Sequence, residues 1–284
     1  MIFIIIPVLN RWNFTKACLQ SLCFQTYSKY KIVVVDHGST DDTANEIRDK
    51  FPEVIVLQGN ENMWWTAATN LGVKYALLNK AEYVLTLNND LVVNQNYLET
   101  LINAIDDNHK SIIGSISVDI NDINRVVFAG VKWNSLTAKY RPAVILEHNF
   151  ENLRENHTLI KSDLLPGRGT FYPIKAFELL GMFDEIYFPH YLADEDFSLR
   201  CKKKGFSLFV STSSIVFSEV NATGLKNLHK NKSFRYWRDI FTSKKSPVNI
   251  KRRWYWAKKN SACHIIYFLF DYSRIFCSEF KKII

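Results

Sequence analysis

The chain has 284 residues, of which 47% are hydrophobic and 14% aromatic, so it can bury a full core and is not expected to be disordered. Its five cysteines are an odd number and include no CxxC pair, which argues against a disulfide framework and a thiolate zinc site and favours a reducing compartment. The formal net charge of +8 is uneven, because 15 Lys and Arg but 3 Asp and Glu lie from Leu225 onward, against 21 and 25 before it.

The first half of the chain alternates short β-branched runs with segments of helical period, which predicts a parallel sheet flanked by helices. The apolar run before Pro7 is too short for the core of a signal peptide and is interpreted as a buried first strand. No run reaches the roughly 18 apolar residues of a membrane-spanning helix, so we expect no membrane crossing. The predicted strands are residues 2–6, 31–35, 54–57, 83–87 and 112–117, and the helices between them are residues 13–24, 41–51, 66–79 and 94–107.

The later part of the chain has a less regular pattern. Residues 117–163 contain strand-like pieces at 125–133 and 143–146 to which the pattern assigns no topology. Helices are predicted near residues 175–180 and from Asp194 to Lys204.

Polar residues follow three of the predicted strands at their carboxyl ends, in the loops at residues 7–10, 36–39 and 88–90. Loops at that edge of an open parallel sheet converge on a crevice, which is where ligands bind. The second loop has an alternative explanation, because Ser39 or Thr40 can cap the helix that follows. The sequence therefore predicts a ligand site at this edge.

Two carboxylates in these loops are suited to a nucleotide and to a metal. Asp36 can accept hydrogen bonds from the N–H groups of a base, and Asp90 can hold a hard cation such as Mg²⁺, which needs one or two carboxylates besides substrate phosphates. An ordinary Asn/Asp turn is the alternative for Asp90, and helix capping is the alternative for the loop that contains Asp36. Their places on neighbouring loops favour a functional interpretation.

A third acidic group has carboxylates at three successive positions, 194 to 196, at the start of a predicted helix. The helix macrodipole accounts for acids in a first turn. Three successive acids exceed what capping needs, and repulsion with partial burial can raise one pKa towards that of a general base. Asp194 and Asp196 are the candidates.

Trp64 and Trp65 are adjacent, so they cannot share one face of a helix or strand, and at least one is expected to be exposed. An exposed indole can stack on a sugar; alternatively, one fills the core while the other supports a loop. The chain has no GxGxxG after its first strand and no GxxxxGK[ST], which argues against a dinucleotide-binding dehydrogenase and a P-loop enzyme.

Five motifs follow one another along the chain: 5–11 (IIPVLNR), 33–43 (VVVDHGSTDDT), 87–90 (LNND), 181–185 (GMFDE) and 193–200 (ADEDFSLR). In this order they resemble the motifs of the family 2 glycosyltransferases, which have a GT-A fold: a Rossmann-like, mixed α/β sheet flanked by helices. The similarity covers residues 2–217 and leaves the tail unexplained. Residues 62–72 (NMWWTAATNLG) are similar to a subgroup that contains rhamnosyltransferases of O-antigen and capsule synthesis.

The resemblance implies metal-dependent, inverting transfer of a sugar from a nucleoside-diphosphate donor, dTDP-rhamnose or UDP-hexose, to a hydroxyl of a lipid-linked or growing surface glycan. It implies Asp194 as the general base with Asp196 as its fallback, and Asp90 as the ligand of Mg²⁺ or Mn²⁺. The residues assigned to the donor nucleotide are Pro7, Asn10, Asp36, Ser39, Asn70, Asn88 and Asn89, and those assigned to the acceptor are Trp64, Trp65 and Arg168.

Three residues depart from the family pattern. Asn88 replaces the first acid of the usual DxD, Ala193 stands where the family often has Glu, and Ser218 falls where many relatives carry a metal-binding His. These departures keep open a non-catalytic glycan- or lipid-binding relative. Carboxylates at a sheet rim also suit a nucleotidyltransferase, which would release pyrophosphate from a nucleoside triphosphate.

The tail interleaves aromatic residues with Lys and Arg, and we divide the chain into a catalytic domain, residues 1–224, and a helical extension, residues 225–284. Interfacial helices have this composition, since their cations attract anionic lipid. A nucleic-acid surface has a similar composition, but the family's lipid-linked acceptors favour a membrane, and no nucleic-acid partner is expected. A helical cap on the catalytic domain is the alternative. The resemblance implies a cytoplasmic protein on the inner face of the bacterial cytoplasmic membrane.

Overall fold

The computed structural model describes residues 1–105, 110–145, 150–219 and 234–281. Within these ranges the chain has twelve strands and ten helices. The strands are β1 (Ile2–Val8), β2 (Tyr30–Asp36), β3 (Ile55–Gln58), β4 (Tyr83–Thr86), β5 (Leu91–Val93), β6 (Ser111–Asp119), β7 (Asp122–Phe128), β8 (Val131–Trp133), β9 (Tyr140–Pro142), β10 (Leu159–Lys161), β11 (Thr170–Pro173) and β12 (Ser207–Ser218). The helices are α1 (Trp12–Leu22), α2 (Thr43–Lys50), α3 (Trp65–Leu78), α4 (Tyr97–Asn103), α5 (Phe150–Asn156), α6 (Lys175–Leu180), α7 (Ala193–Lys203), α8 (Phe234–Thr242), α9 (Ile250–Asn260) and α10 (His264–Lys281).

Ten of these strands form one mixed sheet. Its order is β10-β12-β6-β11-β4-β1-β2-β3, with β5 paired to β12 and β7 to β6. The neighbours β4, β1, β2 and β3 run parallel, whereas β11 is antiparallel to both β4 and β6 and joins the two halves of the sheet. The other two described strands, β8 and β9, form a separate antiparallel pair. The predicted mixed α/β sheet with flanking helices is confirmed.

The first strand is buried along its whole length because helices cover both faces of the sheet. Ile4 packs in one core cluster with Leu19 of α1, and Ile5 packs in the other with Val73 of α3, as expected for side chains that alternate along a strand. The helix α3 approaches β1 closely at Gly72, where a Cβ would overlap the Ile5 side chain. The apolar run at the start of the chain is therefore the buried strand that the sequence predicts.

The carboxyl ends of β1, β2 and β4 lie at one edge of the sheet. Val8 at the end of β1 is opposite Asp36 at the end of β2, and Ile5 is opposite Thr86 at the end of β4. The loops that follow these three strands are therefore neighbours, as the sequence predicts.

The start of α2 differs from the prediction. The helix begins at Thr43 with Asp42 at its cap position, and none of the described side chains caps it. Ser39 Oγ instead accepts a hydrogen bond from the backbone N–H of Asn10 at 2.7 Å. The prediction that Ser39 or Thr40 caps this helix was wrong, because these polar groups join two loops at the rim of the sheet.

Two predicted segments have different ends in the structure. The strand β9 ends at Pro142, so residues 143–145 lie outside it, and residue 146 is outside the described ranges. The helix α4 ends at Asn103, and residues 106 and 107, which the predicted helix included, are outside the described ranges.

The last two helices form a cap on the sheet domain. Trp256 of α9 and Tyr267 of α10 are completely buried in the core cluster that contains Ile5. The indole N–H groups of Trp133 and Trp256 both donate to the Tyr267 hydroxyl, at 3.0 and 2.9 Å. The predicted domain boundary after residue 224 falls outside the described ranges. Within those ranges, no helix combines the length and apolar character needed to span a bilayer.

Replacing Tyr267 with Phe should destabilise the protein, because the two indole N–H groups would lose their shared acceptor inside the core. We expect the free energy of unfolding to fall by about 1–3 kcal/mol, measured by urea denaturation. Tyr187→Phe is the control, since Tyr187 lies at the surface. Equal effects of the two substitutions would contradict this account of the cap.

Candidate active site

Two loops at the rim of the sheet are bound to each other. Asp36, buried at the end of β2, accepts at Oδ1 the backbone N–H groups of Gly38 at 3.1 Å and Ser39 at 2.8 Å. Asn10 donates its backbone N–H to Ser39 and accepts at Oδ1 the N–H of Thr40, both at 2.7 Å. Pro7 is buried in β1 beside this pair of loops. The structure therefore brings together four of the residues assigned to the nucleotide.

Asn88 and Asp90 follow β4 and face separate partners. The Asn88 Oδ1 atom accepts a hydrogen bond from the Trp65 indole N–H at 3.0 Å. The Asp90 Oδ2 atom is 3.5 Å from Nη1 of Arg11, a residue that was not predicted for the site although it belongs to the first motif. Arg11 reaches Asp90 because the backbone at Arg11 is left-handed, with φ 67°, just before α1 begins.

Two other residues assigned to the nucleotide are occupied by contacts within the protein. Asn89 is buried, and its Nδ2 donates to the Thr15 hydroxyl at 2.9 Å. Asn70 is also buried; it donates to the Phe183 carbonyl at 3.0 Å and the Glu185 carboxylate at 2.7 Å, and accepts the Phe183 N–H at 3.1 Å. These amides hold α1 and the 181–185 segment in place.

Asp194 lies near the start of α7 and faces the rim. Its Oδ2 accepts the backbone N–H of Gly167 at 2.6 Å, and a Cβ at Gly167 would overlap the Trp65 indole. Burial raises the pKa of Asp194, while the Gly167 N–H and the charge of Arg168 oppose that rise. Burial also lowers the pKa of Arg168, opposed by the charges of Asp194 and Asp90. The three ionisable groups are therefore electrostatic neighbours.

Asp196, the predicted fallback base, is completely buried and bonded on both oxygens. Its Oδ2 accepts from Arg200 Nε and Lys259 Nζ, both at 3.0 Å, and its Oδ1 accepts from Asn260 Nδ2 at 3.0 Å. Lys259 and Asn260 belong to α9, so this carboxylate attaches the cap to α7. The geometry gives Asp196 a structural role and leaves Asp194 at the rim.

Glu195, which was not predicted as a site residue, is the third acid of this turn. Burial, followed by the charge of Asp194, raises the pKa of Glu195 to about 7. Tyr140 of β9 donates its hydroxyl to Glu195 Oε2 at 3.3 Å. This hydrogen bond and the charge of Arg253 oppose the rise in the pKa of Glu195. The three successive acids predicted a raised pKa in this turn, but the burial of each side chain, which has the largest effect, depends on the tertiary packing.

The two adjacent tryptophans are both half-buried. The Trp64 ring centroid lies 5.5 Å from that of His190, and the Trp65 centroid lies 5.8 Å from that of Phe183. Each indole therefore has both packed and exposed surface. Trp65, together with Gly167 and Asp194, forms one wall beside the rim.

A divalent cation fits this rim only in combination with a phosphate ligand. Among the residues that the structure describes, no group of three or more His, Cys, Asp or Glu is arranged to hold a metal. Ser218 is opposite Leu91, the residue after Asp90, so the departure from His falls beside the proposed metal ligand. Asp90 thus supplies one carboxylate, which suffices for Mg²⁺ when substrate phosphates complete the coordination.

Comparison with protein families identifies the chain. A family model described as glycosyl transferase family 2 matches residues 3–162, and one described as glycosyl transferase family group 2 matches residues 83–278. The chain belongs to glycosyl transferase family 2. The family resemblance of the five motifs is therefore confirmed.

Two relatives of this family 2 chain differ in how much of their own length the chain covers. It is 31% identical over 182 residues to glycosyltransferase GlyA of Streptococcus pneumoniae serotype 4, an alignment that covers 63% of this chain and 25% of that protein. It is 25% identical over 180 residues to dTDP-rhamnosyl transferase RfbF of Shigella flexneri, which covers 63% of this chain and 56% of RfbF. The chain thus spans about a quarter of the first relative and about half of the second.

Solved structures of the same fold include GalNAc-T7 with UDP, GalNAc and Mn²⁺, with a TM-score of 0.62, 17% identity and coverage of 77% of this chain and 43% of that chain. They also include the mannosyltransferase PcManGT from Pyrobaculum calidifontis in complex with GDP-Man and Mn²⁺. For this structure the TM-score is 0.57 at 16% identity, with 91% of this chain and 62% of that chain covered. The predicted GT-A fold is confirmed.

Proposed function

We propose that this chain is an inverting glycosyltransferase that moves a sugar from a nucleoside-diphosphate donor to a hydroxyl of a glycan or lipid-linked acceptor. The observation that carries the proposal is the meeting of Asp36, Asp90 and Asp194 at one edge of the sheet, in a chain of glycosyl transferase family 2. This reaction needs a carboxylate that binds the nucleotide, a carboxylate that holds a metal at the phosphates and a general base, and we assign these roles to Asp36, Asp90 and Asp194 in that order.

The donor lies across the rim with its base beside Asp36. Both described hydrogen bonds to Asp36 use Oδ1, so Oδ2 can accept an N–H of the base. Pro7, Asn10 and Ser39 complete this pocket, and the diphosphate extends towards Asn88. A dTDP-rhamnose or UDP-hexose donor is supported by the relative RfbF, named a dTDP-rhamnosyl transferase, and by the similar structure of GalNAc-T7, which contains UDP.

Asp194 removes the proton from the acceptor hydroxyl while that oxygen attacks the anomeric carbon. The bond between this carbon and the diphosphate oxygen breaks on the opposite side, so the configuration inverts and the nucleoside diphosphate leaves. A Mg²⁺ or Mn²⁺ ion held by Asp90 and the phosphates would neutralise charge on the leaving group. Trp65 lies beside Gly167 and Asp194, and with its neighbour Trp64 it offers apolar surface to the acceptor sugar.

The acceptor is a lipid-linked or growing surface glycan of the O-antigen or capsule type, and the tail holds the enzyme at an anionic membrane on the cytoplasmic side. One face of α10 supports this placement, because it carries five exposed apolar side chains at helical spacing, and the preceding helix α9 carries exposed lysines. We call it the apolar face of α10. Its residues are Ile265, Ile266, Leu269, Phe270 and Phe276.

A thermal-shift screen against UDP, dTDP, GDP and CMP, each with and without Mn²⁺, tests the proposed donor site. One nucleoside diphosphate should raise the melting temperature, since a ligand at 100 times its Kd adds about 2.7 kcal/mol to native-state stability. Mn²⁺ should add to that shift in the wild type and not in Asp90→Ala. If none of the nucleotides changed the melting temperature, the non-catalytic glycan- or lipid-binding relative would be favoured. Release of pyrophosphate from a nucleoside triphosphate would favour the nucleotidyltransferase.

The substitution Asp194→Asn should reduce transfer by about 100-fold or more while nucleotide binding persists, because the amide keeps the contact with Gly167 but cannot accept a proton. In the wild type, the rate should fall as the pH falls through the raised pKa of Asp194, since only the carboxylate is a base. Glu195→Gln is the control, because the pKa of Glu195 is also raised. If Glu195→Gln no longer showed the fall in rate at low pH, that fall would be due to Glu195. Full activity of Asp194→Asn would refute the assignment of the base.

Replacing Leu269 and Phe270 together with Glu should reduce binding to phosphatidylglycerol-containing vesicles by about tenfold or more, measured by cosedimentation, because two apolar contacts are lost and negative charge is added. Leu78→Glu on α3 is the control, since Leu78 is more exposed than either of these residues but lies outside the tail. Binding that is unchanged in the double variant, or that ignores salt and lipid charge, would show that the apolar face of α10 does not bind the membrane.

A further inference from the structure

The orientation of the Asn88 amide is fixed by Trp65. An indole N–H is a donor only, so the atom 3.0 Å from Trp65 Nε1 must be the amide oxygen, and the amide nitrogen points away from the indole. Asn88 therefore offers hydrogen-bond donors on its other side, where an aspartate would offer a negative oxygen. Donors bind phosphate oxygens, whereas a cation needs oxygen ligands.

Arg168 lies in a rigid loop at the same rim. On one side, the Gly167 N–H is bound to Asp194 at 2.6 Å, and on the other, the Gly169 N–H is bound to the Thr86 carbonyl at 2.8 Å. The Arg168 side chain is half-buried, and no residue in the described ranges forms a hydrogen bond or an ion pair with it. A guanidinium that is partly removed from water without a direct partner is stabilised by a bound anion.

Arg11 places a second guanidinium next to the same carboxylate. Its Nη1 is 3.5 Å from Asp90 Oδ2, and about a third of its side chain is exposed, with a relative exposure of 34%. The negative charges of Asp194 and Asp90 both oppose the lowering of the pKa of Arg168 by burial, so Arg168 also lies near Asp90. The carboxylate of Asp90 thus lies among positive side chains, whose charge suits the oxygens of a diphosphate.

We propose that Arg11, Arg168 and the Asn88 amide bind the donor diphosphate directly, so that nucleoside-diphosphate binding persists without a divalent cation. This assigns Arg168 to the donor, where the sequence had assigned it to the acceptor. The inference rests on the proposed glycosyltransferase function, and it adds the class of group that recognises the phosphates. The three residues together compensate for two departures from the family's metal-binding residues: Asn88 in place of the first acid of the DxD motif, and Ser218 in place of a His.

The test compares diphosphates with monophosphates by isothermal titration calorimetry, using UDP against UMP and dTDP against dTMP in excess EDTA. Wild-type protein should bind the preferred diphosphate about tenfold or more tightly than its monophosphate, because the second phosphate adds charge-assisted hydrogen bonds. Arg168→Met should remove most of this ratio, and Arg168→Lys should restore part of it. Arg154→Met is the control, because Arg154 pairs with Glu151 on α5.

Asn88→Asp is a second variant that does not depend on how the arginine variants fold. Its new carboxylate keeps an acceptor for Trp65 but faces the phosphates with negative charge. Diphosphate binding in EDTA should therefore weaken about tenfold, and Mn²⁺ should restore it more strongly than in the wild type.

Three outcomes would overturn the inference. In the first, the wild type prefers the diphosphate only when Mn²⁺ is present. In the second, Arg168→Met keeps the wild-type ratio in EDTA. In both, the monophosphate still binds, so the proposed nucleotide site stands while the direct phosphate contacts fail. In the third, neither the nucleoside monophosphates nor the nucleoside diphosphates bind under any condition, which refutes the proposed function and the inference with it.

Discussion

The close approach of α3 to β1 at Gly72 determines where the residues at the rim of the sheet lie. Only a hydrogen fits there, because a Cβ would overlap Ile5. With α3 held against the sheet, its first residue, Trp65, reaches the carboxyl end of β4. The same indole leaves no space for a side chain at Gly167, whose backbone N–H then binds Asp194 at 2.6 Å. A packing constraint in the core is thus transmitted to the carboxylate proposed as the base.

The basic tail neutralises acidic groups of its own chain. Lys259 is 2.6 Å from Asp184 and 3.0 Å from Asp196, and Asn260 donates to Asp196. The composition predicted an anionic partner for the tail, and one such partner is the sheet domain itself. Because Asp196 and Asp194 belong to the same first turn of α7, the cap also helps to orient the rim. A helical cap and a membrane-facing surface are compatible, since the buried and exposed faces of α10 are different.

The parallel half of the sheet was predictable because β1, β2 and β4 are buried runs followed by polar loops. The other half was not, since β11 is four residues long and lies antiparallel between two strands distant in sequence, and β9 is exposed at all its residues. The sequence also identified the rim and ranked Asp194 above Asp196 as the base, but it did not separate Asn88 from Asn89 or show that Asp196 binds the cap. The direction of each of these side chains depends on contacts with α1, α3 and α9, which no local pattern specifies.

The three successive acids of α7 meet different partners. Asp196 is enclosed by three donors from Arg200 and the cap. The pKa of Glu195 is about 7, so this residue takes up a proton near neutral pH and ceases to repel its neighbour. Burial raises the pKa of Asp194, whereas the backbone N–H of Gly167 and the charge of Arg168 favour its ionised form. A general base must also reach the acceptor from the rim, and Asp194, bonded to Gly167 beside Arg168, is the acid of this turn that we propose for that role.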